Sequence, residues 1–200
     1  MGRIMEASLY CLGAIYFPAQ WIRVAFTTVA LLAGCGAVQT IPTAAAVGSP
    51  FSFVEWVEQM IADPEGHHLT PEQATAAFYA NQDSASPSEH GTRGLLGKRV
   101  PRCNEIVNTE AWVPHAVACI NELARRGGDC RVQFSTRFCI SGTAEINGNS
   151  GWDTTSSCND VARGAGYIMD HCTRADNTVQ GSEYAHGNGI LLVRIHRVGV

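Results

Sequence analysis

The 200-residue chain has little lysine, little charge and no long apolar run. Lys98 is the single lysine among 14 basic residues, and the formal net charge is −4. Residues 47–99 hold seven acidic and three basic residues, whereas residues 100–200 hold ten acidic and nine basic residues. No segment therefore predicts the basic surface that nucleic-acid binding requires.

The longer of two apolar runs in residues 1–46 is too short to form a membrane-spanning helix. It extends from Val24 to Val38, whereas a span needs roughly 20 residues. A basic residue precedes the run and small residues follow it, which is the layout of a secretory signal peptide. Ala44 and Ala46 fit the cleavage rule, so residues 1–46 are predicted to be the signal peptide. Residues 1–22 are interpreted as an extension ahead of it or as part of a signal anchor.

The segment of residues 47–99 predicts a short helical propeptide. Apolar residues recur at helical spacing over residues 50–63, and a second helix is predicted to begin at the capping box of Thr70 and Gln73. Serine, proline, histidine and glycine over residues 83–93 predict a linker, which leads to the dibasic pair Lys98-Arg99. We expect a processing protease to cut after this pair. The alternative is a small helical domain that stays attached.

Cysteines are scarce before residue 100 and frequent after it. No Cys-x-x-Cys pair occurs, which disfavours a zinc site. An even number of cysteines in a small secreted unit predicts disulfide bonds. The sequence leaves their connectivity open, except that Cys158 with Cys172 and Cys130 with Cys139 are too far apart along one helix or one strand. The predicted disulfide residues are Cys103, Cys119, Cys130, Cys139, Cys158 and Cys172.

Hydrophobic periodicity predicts an α+β fold for residues 100–200. Helices are predicted over residues 112–126 and 158–172, the second capped by Ser157, with Asp160 reaching back to the cap amide. A single half-buried strand is predicted over residues 130–140, with Val132, Phe134 and Phe138 on its buried side. A strand at "TAEI" and a final hairpin that turns at Gly187-Asn188-Gly189 complete the pattern. The expected fold is a two-layer sandwich of two helices on one antiparallel sheet of about four strands.

The cysteine-rich part resembles the small cysteine-rich proteins secreted by filamentous fungi. The resemblance rests on the cysteine-bearing helix "CINELARRGGDC", the cysteine-flanked strand "CRVQFSTRFC", the helix bounded by Cys158 and Cys172, and the Gly-Asn-Gly turn. In layout it is similar to necrosis-inducing-factor type effectors and killer-toxin-like domains. The resemblance implies an α/β sandwich that is secreted at a host or competitor interface without known enzymatic chemistry. It carries over no functional residue.

The sequence predicts recognition rather than catalysis. No Gly-x-Ser-x-Gly or His-Glu-x-x-His motif is present, and no catalytic, metal-binding or cofactor-binding residue is assigned. Trp152 in "GNSGW" is the candidate binding residue, because an exposed tryptophan stacks on sugars or anchors a partner. The predicted protein is an extracellular, monomeric effector or toxin-like binder of a protein or carbohydrate on a host or competitor cell.

Two other functions stay open at this point. Glu145 with Asp153 or Asp160 is a possible carboxylate pair, which would make the protein a small secreted hydrolase of cell-wall carbohydrate. The stretch "LAGC" that ends at Cys35 resembles a bacterial lipobox, which would make it a lipid-anchored surface protein. The dibasic pair and the downstream cysteines favour a eukaryotic secretory route over lipidation.

Overall fold

The computed structural model describes residues 50–84 and 100–200. The predicted signal peptide, including Ala44 and Ala46, lies outside these ranges. Cys35 and the dibasic pair Lys98-Arg99 also lie outside them, so lipidation and processing stay predictions.

Four helices occur in the described residues, and each begins close to its predicted start. Ser52 caps the first helix, and the Thr70–Gln73 capping box is formed in both directions, with distances of 2.9 and 3.3 Å. Gly127 ends the third helix at a positive φ of 57°. The helices are α1 (Phe53–Ala62), α2 (Pro71–Ser84), α3 (Val113–Arg126) and α4 (Cys158–Cys172).

Nine short strands form one main sheet and two small sheets. The main sheet has five antiparallel strands in the order β1-β8-β9-β5-β4, while β2 pairs with β7 and β3 pairs with β6. Their bounds are β1 (Arg102–Cys103), β2 (Ala111–Trp112), β3 (Asp129–Val132), β4 (Ser135–Ser141), β5 (Ala144–Asn149), β6 (Thr154–Ser157), β7 (Thr178–Val179), β8 (Gly181–Tyr184) and β9 (Leu192–Arg197).

The predicted α+β class is confirmed, and the predicted layer arrangement is wrong in detail. Helices α3 and α4 cover one face of the main sheet, where their buried apolar residues meet those of β5 and β9. That sheet has five strands rather than about four, because β1 adds to the edge of β8. Helices α1 and α2 pack on α3 and α4, so the molecule has a third layer that the sequence did not predict.

The single strand predicted over residues 130–140 is two strands. The chain leaves the ladder between β3 and β4, where Phe134 has a φ of 69°. Val132 and Phe138 are buried as expected, but Phe134 is 75% exposed. The polar and apolar alternation continues across the break, so the pattern could not show where the backbone turns out of the sheet.

All six predicted cysteines form disulfide bonds, and the two excluded pairs are absent. The longest loop is closed by Cys103–Cys172, with a sequence separation of 69, and the others are Cys119–Cys139 and Cys130–Cys158, with separations of 20 and 28. Each bond ties one of the two sheet-covering helices to a strand. Both ends of α4 are therefore bonded to strands, β3 at its start and β1 at its end.

The start of α4 differs from its predicted capping box. The Ser157 hydroxyl accepts a hydrogen bond from the Asn159 amide at 3.1 Å. The Asp160 carboxylate, which was expected to reach back to the cap, instead accepts from Nη1 of Arg163 at 2.8 Å. Within residues 50–84 and 100–200, no helix has the length and apolar character that crossing a membrane requires.

Candidate binding site

Two connections between the sheets meet at one end of the β3–β6 ribbon. Residues 133–134 join β3 to β4, and residues 150–153 join β5 to β6. Because β3 pairs with β6 and β4 pairs with β5, both connections cross between the same two strand pairs. The Ser150 amide donates to the Phe134 carbonyl at 2.9 Å, which holds the two connections side by side.

Each connection carries a highly exposed aromatic residue, and we call Phe134 and Trp152 the aromatic tip. Their side chains are 75% and 71% exposed, more than those of any other aromatic residue described. The Trp152 amide donates to the Ser150 hydroxyl at 3.3 Å, so its backbone is fixed by the same residue that binds Phe134. Hydrogen-bonded backbone thus holds both rings in solvent, an arrangement suited to contact with a partner.

The backbone at Phe134 is strained. A bulky residue at positive φ is a true outlier, because its Cβ approaches the carbonyl groups of the chain. Strained conformations of this kind are concentrated at functional sites. Phe134 therefore combines an unfavourable backbone with an exposed apolar ring, and neither feature contributes to the core.

A forked ion pair lies beside the aromatic tip. Nε of Arg131 is 3.0 Å from Oδ1 of Asp153, and the second guanidinium nitrogen binds Oδ2. The hydrogen bond from Arg131 is the main cause that lowers the pKa of Asp153, and the Gln133 side chain adds a further bond. Asp153 therefore stays ionised in neutral and mildly acidic solution and offers a fixed charge at the site.

Two shallow polar hollows continue from this ion pair along β6. The first, of about 430 Å³, is lined by Asp129, Arg131, Asp153, Thr154 and Thr155. The second has about 400 Å³ and shares Thr155 with the first. Its other lining residues are Ser156, Ser157, Asp160, His186, Gly187, Asn188 and Gly189.

The two hollows form one polar track of hydroxyl, carboxylate, amide and imidazole groups. The Asn188 side chain donates to the Thr155 carbonyl at 3.2 Å, which fixes the β8–β9 turn against β6. The His186 amide donates to the Asp160 carbonyl at 3.1 Å and holds the same turn against α4. A polar ligand lying along β6 would meet groups that are already oriented.

Each carboxylate of the possible hydrolytic pairs forms an ion pair with an arginine. Glu145 lies on β5 and pairs with Arg137 at 3.0 Å. Asp153 pairs with Arg131, and Asp160 pairs with Arg163. Each carboxylate thus has a different arginine partner. Among the residues described, no group of three or more histidine, cysteine, aspartate or glutamate side chains could hold a metal ion.

Sequence reasoning found one half of the aromatic tip. Trp152 was predicted as a binding residue from its polar loop, and its exposure leaves it available for this role. Phe134 was missed because the alternating pattern placed it on the buried side of a strand. Nothing in the sequence indicated that Arg131 pairs with Asp153, which lies 22 residues away.

Residues 98–197 match the model of a protein family described as "Domain of unknown function (DUF8794)", and the chain belongs to this family. The match includes all nine strands, α3, α4 and the three disulfide bonds, but neither α1 nor α2. No curated protein and no solved structure matches the chain.

Proposed function

We propose that this family member is a secreted, disulfide-stabilised protein that binds a target on the surface or wall of another cell, without catalysis of its own. The observation that carries the proposal is the aromatic tip, where two exposed rings stand on adjoining, hydrogen-bonded connections. Aromatic side chains this exposed bury little surface in the core, and aromatic residues are enriched at partner-binding surfaces.

The surroundings of the tip favour a carbohydrate as the target. The C–H face of a sugar ring packs against an aromatic ring, because both surfaces are apolar. Sugar hydroxyls then need donors and acceptors at fixed positions, which the polar track along β6 supplies. The Arg131–Asp153 fork offers both a donor and an acceptor at the start of this track.

The three disulfide bonds support secretion, because such bonds persist in oxidising compartments and are rare in the cytosol. We further propose that the signal peptide of residues 1–46 directs export and that a protease cuts after Lys98-Arg99. The family match begins at residue 98, next to the proposed cut. An effector or toxin-like role at a host or competitor surface is consistent with these features.

Sedimentation with insoluble wall polysaccharides tests the proposal. Purified protein would be incubated with chitin, β-glucan or cellulose, and the fraction bound would be measured against protein concentration. We expect saturable binding to one of these polysaccharides. Trp152→Ala and Phe134→Ala should each weaken this binding by about tenfold or more, because aromatic side chains that become buried in the complex dominate binding energy. Trp112→Ala is the matched control, since Trp112 is 51% exposed but lies on β2.

Three outcomes would contradict the proposal in different ways. Equal binding by wild type, Trp152→Ala and Phe134→Ala would exclude the aromatic tip as the binding site. If the protein instead binds intact cells equally well after enzymatic removal of wall polysaccharide, the target is a surface protein or lipid. Turnover of a polysaccharide, detected as released reducing ends, would show that the protein is a hydrolase.

A further inference from the structure

Helix α1 lies outside the matched family domain, yet it is built into the hydrophobic core. Phe53, Val57 and Met60 are 0% exposed and Trp56 is 1% exposed. These side chains pack against α3 and α4, and the Phe53 ring lies 4.9 Å from the Phe78 ring of α2. Residues 100–200 alone would expose the apolar surface that this helix covers.

Polar contacts orient α1 as well as hold it. Asp170, on α4, accepts hydrogen bonds from the Ser52 hydroxyl and the Phe53 amide at 2.7 Å each, and from the Val54 amide at 3.2 Å. The first amides of a helix have no partner within the helix and carry its positive dipole end. A carboxylate on α4 therefore caps a helix from a distant part of the chain, which fixes its direction and register.

A second contact lies one turn further along α1. Arg163 holds the Glu58 carboxylate in a fork, with Nε and Nη2 at 2.7 and 2.9 Å from its two oxygens. Between the cap and the fork, Gly166 brings the two helices together. A Cβ at Gly166 would lie 3.3 Å from backbone atoms of Phe53 and Val54. We call the surface of α3 and α4 that contacts α1 the seat of α1. This surface matches the helix in apolar area, charge and backbone shape.

No covalent bond between the described parts reinforces this seat. All three disulfide bonds join residues within 100–200. Other contacts across the boundary are hydrogen bonds, such as Tyr79 Oη to Asn177 Oδ1 at 2.8 Å and Arg125 Nη1 to the Pro64 carbonyl at 3.1 Å. Residues 50–84 are therefore held in the way that a separate protein partner would be held.

We propose that residues 100–200 form a receptor for the amphipathic helix of residues 53–62, so that a cut in the connecting segment leaves a two-chain complex. The mode is that of a helix in a groove, where apolar anchors supply affinity and the polar contacts supply register. Processing at Lys98-Arg99 then changes the covalent structure without freeing the cysteine-rich domain. This inference does not depend on the binding role of the aromatic tip.

The single lysine provides a direct test. A lysine-specific endoprotease can cut this chain at one bond only, after Lys98. Protein recovered from its culture medium would be cut in native buffer and passed over a gel-filtration column, with intact mass measured for each peak. We expect both fragments to elute together at the volume of the uncut protein and to separate on a non-reducing denaturing gel. Protein that is already cut on recovery would be applied directly.

Elution of the cysteine-rich fragment, residues 99–200, on its own and with an unchanged circular dichroism spectrum would overturn the proposal. Such a result would show that the domain neither needs nor retains α1. It would leave the binding role of the aromatic tip untouched, because that role is tested on polysaccharide.

Matched variants distinguish the specific contacts of α1 from nonspecific association of the two fragments. Asp170→Ala and Glu58→Ala should each let the cut fragments separate at protein concentrations about tenfold higher than for wild type. Glu55→Ala is the control, since Glu55 lies on the exposed side of the same helix. Circular dichroism of the uncut variants would first confirm that they fold. In a separate experiment, a labelled peptide of residues 50–84 would be added to the cut wild-type complex, where we expect it to exchange with the bound segment. Identical dissociation of all three variants, or no exchange of the peptide, would contradict the proposal.

Discussion

At the scale of single residues, Phe134 combines two features that are unfavourable for the stability of the fold. Its ring is exposed and its backbone is left-handed. A left-handed conformation costs a residue with a Cβ roughly 1–2 kcal/mol, and asparagine tolerates it better than other residues. A residue that lowers stability and fills no space in the core is best explained by a role outside folding.

Phe134→Asn is expected to stabilise the protein while weakening binding. We expect the free energy of unfolding to rise by about 1 kcal/mol, because asparagine adopts the left-handed conformation with less strain. Urea unfolding followed by circular dichroism measures the change, with Trp152→Ala as the control that should leave it unaltered. A fall in stability would show that the Phe134 ring contributes to packing.

Asp170 is the residue whose ionisation most directly affects the seat of α1. Burial raises the pKa of Asp170, while hydrogen bonds from Ser52 and from the Phe53 and Val54 amides act in the opposite direction. A carboxyl group with a raised pKa in the folded protein contributes stability that is present below its ordinary pKa. That contribution is lost as the pH rises through the raised pKa.

The pH dependence follows from this sign. Asp170→Asn removes the titration, so the stability of wild type relative to this variant should fall as the pH rises above the ordinary pKa of a carboxyl group. Urea unfolding at a series of pH values measures the difference. A relative stability that instead increases with pH would mean that the three hydrogen bonds outweigh the burial of the carboxylate.

At the scale of elements, α4 is the centre of the molecule. It contacts α1, α3 and β8, and disulfide bonds hold both of its ends. Gly181 on β8 lies where this helix, the Cys103–Cys172 bond and strand β1 converge. A Cβ at Gly181 would lie 2.8 Å from Sγ of Cys172 and 3.0 Å from the Arg102 carbonyl oxygen.

Gly181→Ala should therefore destabilise the fold. We expect a loss of about 1–3 kcal/mol, the usual cost of forcing an extra methyl group into a packed site. Gly151→Ala is the control, since a Cβ there meets no atom within 4 Å. Urea unfolding measures both variants. Equal stability of the two would show that β8 can shift away from the disulfide bond at no cost.

The sequence predicted local elements better than their long-range partners. Capping residues and apolar spacing set the bounds of α1 to α4 closely, because these signals act over a few residues. Nothing local indicated that Trp56 is buried or that Asp170 caps a helix more than a hundred residues earlier. The sequence therefore predicted α1 as part of a propeptide, but it did not predict that this helix packs into the core.

The candidate site was likewise predictable from the sequence only in part. Trp152 was recognised because its polar, glycine-containing loop indicates exposure. Phe134 was not, since its left-handed backbone interrupts a strand whose alternating pattern continues on both sides. Phe134 lies beside the connection that carries Trp152 because β3 pairs with β6, and no residue pattern in the sequence predicts this pairing.

At the scale of the whole molecule, the disulfide bonds add to a core of moderate size. In the chain-entropy model, each bond contributes roughly 2–4 kcal/mol by restricting the unfolded chain, and a longer closed loop contributes more. Cys103–Cys172 closes a far longer loop than Cys119–Cys139, with sequence separations of 69 and 20. The first bond should therefore matter more to stability than the second.

The expected ranking can be measured with paired serine substitutions. Replacing Cys103 and Cys172 together should cost roughly 1 kcal/mol more than replacing Cys119 and Cys139. Urea unfolding of both variants gives the comparison, and full reduction of wild type should lower its melting temperature further. An unchanged melting temperature after reduction would show that the bonds do not stabilise this fold.

No disulfide bond links residues 50–84 to residues 100–200, which has a consequence for the secreted and cleaved protein that we propose. Once the chain is cut, the lifetime of the pair depends on how far it is diluted, since an association without a covalent link obeys mass action. Under the proposed secretion, the cleaved protein would keep α1 bound near the producing cell, where its concentration is high. Far from the cell, the concentration of the complex falls below its dissociation constant and α1 dissociates. Dilution would therefore expose the apolar surface that α1 covers.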